Sequence, residues 1–268
     1  MRSLLALVSI IIFLSILLGV LLISYNYRDR FKSPNDQVNK KKYLLFSSVG
    51  KRDSDVRAVD MWYDNRRNRD YDIVLYYYST EPPSDCEDHC LYKPGFKFEN
   101  FYDYAINNDI SEYESIFIVD DDIEISANQL NELFELFVHH DLDIAQPAFT
   151  HDSHISHPIT VQDKGCILRY CNFIENGVMM VSSKALKKCL EVFKNASTGW
   201  GLDYIVCSLV DNGSNIAIID KVTCRHPYSE STLDNIVSRS QHGVLGRELL
   251  KSHCVEVYEP KEYRRIEV

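Results

Sequence analysis

Three consecutive carboxylates, Asp120-Asp121-Asp122, follow the apolar run Ile116-Phe117-Ile118-Val119 and precede Ile123-Glu124-Ile125. A buried strand leading into such a triplet fixes its acids at a strand end. If the chain stays extended there, Asp120 and Asp122 point to one side and Asp121 to the other. Two carboxylates on one side repel unless a cation lies between them. Mg²⁺ or Mn²⁺ held by oxygen ligands, with substrate phosphates completing the shell, is the chemistry that suits them. A solvated acidic turn is the competing reading.

A second locus is Thr198-Gly199-Trp200-Gly201-Leu202-Asp203. Leu202, Ile205, Val206 and Leu209 repeat at i, i+3, i+4 and i+7, so a helix starts here and Asp203 stands in its first turn. The macrodipole favours an ionised carboxyl at that point. A carboxylate beside an aromatic ring can take a proton from a hydroxyl while the ring supports a sugar face; a helix cap is the alternative. Late in the chain, His226 precedes Pro227, and imidazole can complete an Mn²⁺ shell otherwise built of oxygen. Glu175, embedded in a strand-like run ending Val178-Met179-Met180-Val181, either contacts a polar ligand or faces outward. His151, His154 and His157 lie near Cys166 and Cys171, but without a compact CxxC pairing they read better as loop histidines and structural cysteines than as a zinc site.

The elements that must position these groups alternate. Tyr43–Ser48 reads as a buried strand and ends in Val49-Gly50-Lys51-Arg52, with a helix from Asp55 to about Asn65. Tyr71–Tyr78 is a second strand, stopped at Glu81-Pro82-Pro83. Strand, helix, strand suggests a βαβ unit and a parallel sheet. Lys51 and Arg52 then sit at a strand's carboxyl end, where open α/β sheets bind ligands; solvation of a surface charge pair is the other reading. Ser126 and Gln129 form a capping box for a helix with Leu130, Leu133, Phe134 and Phe137 inside. Asp143–Phe149 reads as a strand or edge strand halted by Pro147. Ser183 caps a helix with Leu186, Leu190 and Phe193 inward, and Asn215–Ile219 is a further strand.

The chain has 268 residues, 45% hydrophobic and 25% charged, with a net charge of −10. That length accommodates one large α/β domain or two small ones. The composition excludes disorder and collagen, and the acidity, with pI ≈ 5.4, argues against a nucleic-acid partner. Residues 1–3 form a short tail. The apolar run Leu4–Ile23 is long enough to cross a bilayer, exceeds the usual apolar core of a cleaved leader and lacks a good cleavage site, so it reads as a transmembrane anchor. Residues 24–42 are polar and read as a stalk, leaving residues 43–268 as the folded body. The cationic residues Arg28, Arg30, Lys32 and Lys40 to Lys42 follow the span and, read alone, favour a cytoplasmic body.

The series of strand, Asp120-Asp121-Asp122, Ile144-Ala145-Gln146-Pro147-Ala148, His157-Pro158-Ile159-Thr160, Glu175, Trp200-Gly201-Leu202-Asp203 and late His226 resembles a glycosyltransferase-like family long catalogued as a domain of unknown function and common in plants. More broadly it is similar to GT-A fold glycosyltransferases. The resemblance runs from about Tyr43 to Tyr228, and the WGLD and QPA boxes are its more specific parts. It implies a Rossmann-type mixed sheet flanked by helices, with Asp120, Asp122 and His226 holding Mn²⁺ or Mg²⁺. It also implies Asp203 as catalytic base, with Trp200, Gly201 and Glu175 toward the acceptor. Asp121 is assigned to the donor, and Lys51, Arg52 and Lys97 are read from their charge alone as adding to the donor phosphates, with a solvated surface position as the alternative for each. Two departures stand out: Asn176-Gly177-Val178-Met179-Met180 replaces a -MAP- type run, and Arg225-His226-Pro227-Tyr228 only loosely matches an -HQG- ending.

The reading that follows is a membrane-anchored, metal-dependent glycosyltransferase moving a sugar from a nucleotide-sugar donor to a glycan or glycoprotein hydroxyl. On the resemblance, the body is lumenal, in a type II orientation in the Golgi or ER, against the charge bias. A lumenal body allows its eight cysteines to pair in part and makes Asn195 and Asn212 glycosylation acceptors. Two other functions use the same residues: a metal-dependent nucleotide-sugar hydrolase or nucleotidyltransferase, and a non-catalytic sugar-binding membrane protein.

Overall fold

Apolar and aromatic residues on both sides of a strand demand cover on both faces of the sheet, and the computed structural model provides it. Residues 41–50, 58–63, 69–84, 86, 88–210, 215–227 and 239–268 are described; the anchor, most of the stalk, Lys51 and Arg52 lie outside them. Among the described residues no helix is long and apolar enough to cross a membrane. Among the described residues nine strands form one mixed sheet: β1 (Tyr43–Val49), β2 (Tyr71–Tyr77), β3 (His89–Tyr92), β4 (Ser115–Asp120), β5 (Ile144–Phe149), β6 (Cys166–Cys171), β7 (Val178–Ser182), β8 (Ile216–Cys224) and β9 (Glu262–Glu267). Their spatial order is β3-β2-β1-β4-β7-β5-β8-β6-β9.

The helices are α1 (Ala58–Met61), α2 (Lys97–Asn107), α3 (Ala127–His139), α4 (Ser183–Phe193), α5 (Leu202–Val210) and α6 (Arg239–Ser252). Strand side chains alternate between two apolar layers. Leu44, Phe46, Ile116 and Ile118 pack with residues of α2, α4 and α5; Tyr43, Leu45, Phe117 and Val119 pack with residues of α1 and α3. The second layer includes Trp62, fully buried just beyond α1, whose indole donates to the Ile123 carbonyl at 3.3 Å.

β1 pairs in parallel with β2 on one side and with β4 on the other. The chain winds outward through β2 and β3 and then returns to the far side of β1. The carboxyl ends of β1 and β4 therefore flank a reversal of strand order, where open α/β sheets leave a ligand crevice.

Three local expectations are corrected. The strand at Ile144–Phe149 lies between β7 and β8 rather than at an edge, and it continues through Pro147, whose missing N–H coincides with a register shift against β8. Ser182, not Ser183, caps α4, its hydroxyl accepting from the Ala185 amide at 3.1 Å. The helix expected from Asp55 appears as Ala58–Met61 within the described residues.

Candidate functional site

The capping box is present as expected: Ser126 and Gln129 satisfy each other's end of α3, and the Gln129 amide also donates to Thr223 of β8 at 2.8 Å. This anchors the segment after the acidic triplet. Glu124 and Arg225 then exchange backbone hydrogen bonds of 2.9 Å each, and the Arg225 guanidinium meets the Glu124 carboxylate. Residues 120–124 and 224–226 are thereby brought side by side. The triplet is a turn, not an extension: β4 ends at Asp120 and the Ile123 amide returns to the Asp120 carbonyl.

The three acids have separate partners. Asp120, at the carboxyl end of β4, receives the Lys97 ammonium at 2.6 Å, and the same ammonium donates to the Asn176 carbonyl at 3.0 Å. Asp121 accepts from the Gly50 amide at 2.8 Å, joining the acidic turn to the end of β1. Asp122 faces His226, with 3.6 Å between Oδ2 and Nε2, longer than a hydrogen bond. Burial alone would depress the His226 pKa; the Asp122 carboxylate, helped by Asp120 and Glu175, outweighs it and raises the pKa.

Among the described residues no group of three or more His, Cys, Asp or Glu side chains forms a metal cage. The donors present nonetheless fit a cation of the Mg²⁺ or Mn²⁺ kind, which is commonly held by one or two side chains plus substrate phosphates and water. Asp122 and His226 are an oxygen and a nitrogen donor set close enough to share one ion. Asp120 stands beside them with an oxygen not engaged by the Lys97 contact, and lysine is itself a cation suited to phosphate.

Glycines keep this corner tight. A Cβ on Gly177 would lie 2.9 Å from Asp120 Oδ2, and the Gly177 carbonyl accepts from the Asp120 amide at 2.9 Å. Next to Gly177, the Asn176 side chain donates to the Gly199 carbonyl at 2.7 Å. The acidic turn, Lys97 and the loop before Asp203 are thus linked through one asparagine.

In that loop, Gly201 has φ +84 and a Cβ there would meet Leu250 Cγ at 2.9 Å, so it supports close packing against α6. Trp200 is 54% exposed and lies against Gly246. Asp203, the second residue of α5, is buried, and Oδ1 accepts from the Tyr204 amide at 3.1 Å. Desolvation pushes its pKa up to about 7, against the Tyr204 amide and the His157 imidazole, with Glu175 adding to the rise. The helix start favours the anion, as expected from its position, but burial is the larger effect.

Glu175 faces inward. Its carboxylate meets His157 Nδ1 at 3.2 Å and the Thr160 hydroxyl at 3.3 Å, and its amide donates to Gln146 at 2.6 Å. His157, read from the sequence as a loop histidine, is the residue whose place was missed; its pairing with Glu175 spans 18 positions and has no local signal. Cys86 and Cys90 are disulfide-bonded, whereas Cys166, Cys171, Cys189, Cys207 and Cys224 are buried free thiols and Cys254 is an exposed one. Asn195 is exposed; Asn212 lies outside the described residues.

This combination defines a mixed α/β protein whose large sheet, flanked by helices, carries an acidic turn and a lysine at its switch point. Residues 104–175 match a family described as "Protein of unknown function (DUF707)". That segment runs from within α2 through β4 to Glu175 and stops short of Asp203 and His226. Among solved structures, S. aureus TarS 1-349 in complex with UDP-GlcNAc is similar in fold, with a TM-score of 0.52 at 11% identity over 81% of this chain and 68% of that one. A structure of S. aureus TarS matches at a TM-score of 0.48 and 11% identity, over 79% of this chain and 43% of that longer chain. A mycobacterial protein matches at 0.44 and 10% identity, over 81% and 76% of the two chains. No curated protein matches the chain.

Proposed function

We propose that this chain is a glycosyltransferase that takes a sugar from a nucleotide diphosphate donor and passes it to a hydroxyl of a glycan or glycoprotein. The observation that carries the reading is the acidic turn at the switch point, where Asp120, Asp122, His226 and Lys97 converge. The fold likeness to a protein crystallised with UDP-GlcNAc supports a nucleotide sugar as donor.

Asp122 and His226, with Asp120 beside them, would hold Mn²⁺ or Mg²⁺; when bound, the ion neutralises charge on the departing diphosphate. Lys97 supplies a fixed positive charge at the same corner, where charge develops as the glycosidic bond breaks. Asp203 accepts the proton of the attacking hydroxyl. Its carboxyl near 7 suits that task, because a base works best when its pKa lies close to the working pH. Trp200 offers an exposed aromatic face to a sugar ring. Leu4–Ile23 anchors the body to a membrane, with the body lumenal in the Golgi or ER.

The test is incubation of the full chain with labelled UDP-, GDP- and CMP-sugars, Mn²⁺ and a panel of glycan acceptors. Transfer that is lost in Asp203→Asn while donor binding persists is the expected result. Release of free sugar regardless of acceptor would replace the reading with a hydrolase, and binding without turnover under every condition would replace it with a sugar-binding protein. Protease digestion of the body in sealed vesicles would overturn the lumenal orientation.

A further inference from the structure

Beside Asp203 lies a second cluster of titratable groups that the proposed reaction leaves without a task. His157 comes from the segment after β5, Thr160 from the 3-10 turn Pro158–Thr160 and Glu175 from the turn before β7. Thr160 donates alternatively to the His157 carbonyl at 2.7 Å and to the Glu175 carboxylate at 3.3 Å, and Glu175 meets His157 Nδ1 at 3.2 Å. A carboxylate only accepts, so Nδ1 carries a hydrogen at this contact whatever the charge of the ring. The His157 ring packs on Phe173, with centroids 4.5 Å apart, and Phe173 on Tyr204 at 5.2 Å; the Tyr204 amide in turn donates to Asp203. The imidazole is therefore oriented by Glu175 and Phe173, both from the loop before β7, and tied through Phe173 and Tyr204 to the start of α5.

We propose that His157, clamped by Glu175, is a positioning residue whose imidazolium keeps the neighbouring Asp203 carboxyl ionised and able to take a proton. The proposal rests on Asp203 being the base of the transfer reaction. A buried carboxylate resists ionisation, and a nearby cation is the physical remedy. Glu175 acts in two opposed ways: it favours the protonated imidazole by direct contact and disfavours the Asp203 anion through space. The directions agree with this, since Glu175 raises the His157 pKa against burial, and His157 lowers that of Asp203. The other titratable groups that sense Asp203 are Tyr204, Cys207 and Tyr258, all kept neutral by burial. His157 is the basic group named among the main influences on Asp203, and it acts to favour the carboxylate.

The experiment follows carboxyl and imidazole carbons by NMR from about pH 4 to 9 in the full chain, with the Asp203 signal assigned by its loss in Asp203→Asn. In His157→Gln, Asp203 is expected to titrate at higher pH, and in Glu175→Gln the His157 ring is expected to titrate at lower pH. Each unit of upward displacement in Asp203 predicts about a tenfold slower reaction on the acid side of the rate profile. An unchanged Asp203 curve in a folded His157→Gln protein overturns the proposal. If that variant does not fold, Asp203→Asn decides: neutralising Asp203 should lower the His157 titration, and an unmoved ring overturns the proposal. Since the titration needs neither donor nor acceptor, a displaced Asp203 in a protein without transfer activity would sink the transferase reading alone.

Discussion

Asp203→Asn should make the protein more stable at neutral pH while abolishing its turnover. Asparagine keeps the shape and the acceptor for the Tyr204 amide but removes the charge. In the folded chain the carboxyl titrates at about 7, against about 3.9 in an unfolded chain. The gap of roughly 3 units, at ~1.4 kcal/mol each, corresponds to about 4 kcal/mol. The sign follows from proton binding: the folded chain holds this proton more tightly, so the stabilisation is fully present below about pH 4 and is lost as pH rises to about 7. The asparagine variant has no such slope. Its advantage over the wild type should grow from near zero at about pH 4 to as much as ~4 kcal/mol at about pH 8, a ceiling because the surroundings relax around a buried charge. Urea unfolding of both proteins at several pH values measures the difference directly. A difference that stays flat from acid to neutral pH would refute the argument, since it would mean that Asp203 ionises in the ordinary range despite its burial.

Gly177→Ala places a methyl 2.9 Å from Asp120 Oδ2; the carboxylate can swing away, so thermal stability should change by less than about 1 kcal/mol while Mn²⁺-dependent nucleotide binding weakens about tenfold by calorimetry. Asp220→Ala strips the buried Arg169 guanidinium of its two-bond partner, with contacts of 2.9 Å each, and should cost about 3–5 kcal/mol in denaturant unfolding. Mn²⁺ with UDP should raise the melting temperature, equivalent to ~2.7 kcal/mol at a hundredfold excess over Kd. EDTA should reverse the gain, and Asp122→Asn should lack it.

Much of the scaffold is legible locally because long apolar runs and complete caps depend on near neighbours. β1, β2 and β4 stand out as strands buried on both faces, and the Ser126/Gln129 box announces α3. What escapes is settled at a distance. α2 carries its buried face on Phe98, Phe101 and Tyr104 amid polar residues, a pattern with few aliphatic markers. β6 has Arg169 at its centre, which is tolerable only because Asp220 on β8 neutralises it. Asp203 is visible as a helix-start acid, but nothing nearby in the chain reveals its burial, the effect that decides its protonation. The Glu175–His157 contact is likewise a product of the fold. The acidic triplet advertises itself, yet its division of labour among Lys97, Gly50 and His226 depends on a turn that strand alternation does not foresee.

The two tryptophans of this chain occupy opposite environments and sit at the two loci of interest. Trp62 is fully enclosed and hydrogen-bonded to the carbonyl of Ile123, one residue past the acidic turn, whereas Trp200 is open to water three residues before Asp203. Their intrinsic emission should separate into a blue component from the first and a quenchable red component from the second. Changes at the acidic turn and at the loop before Asp203 can therefore be watched independently without attaching a dye.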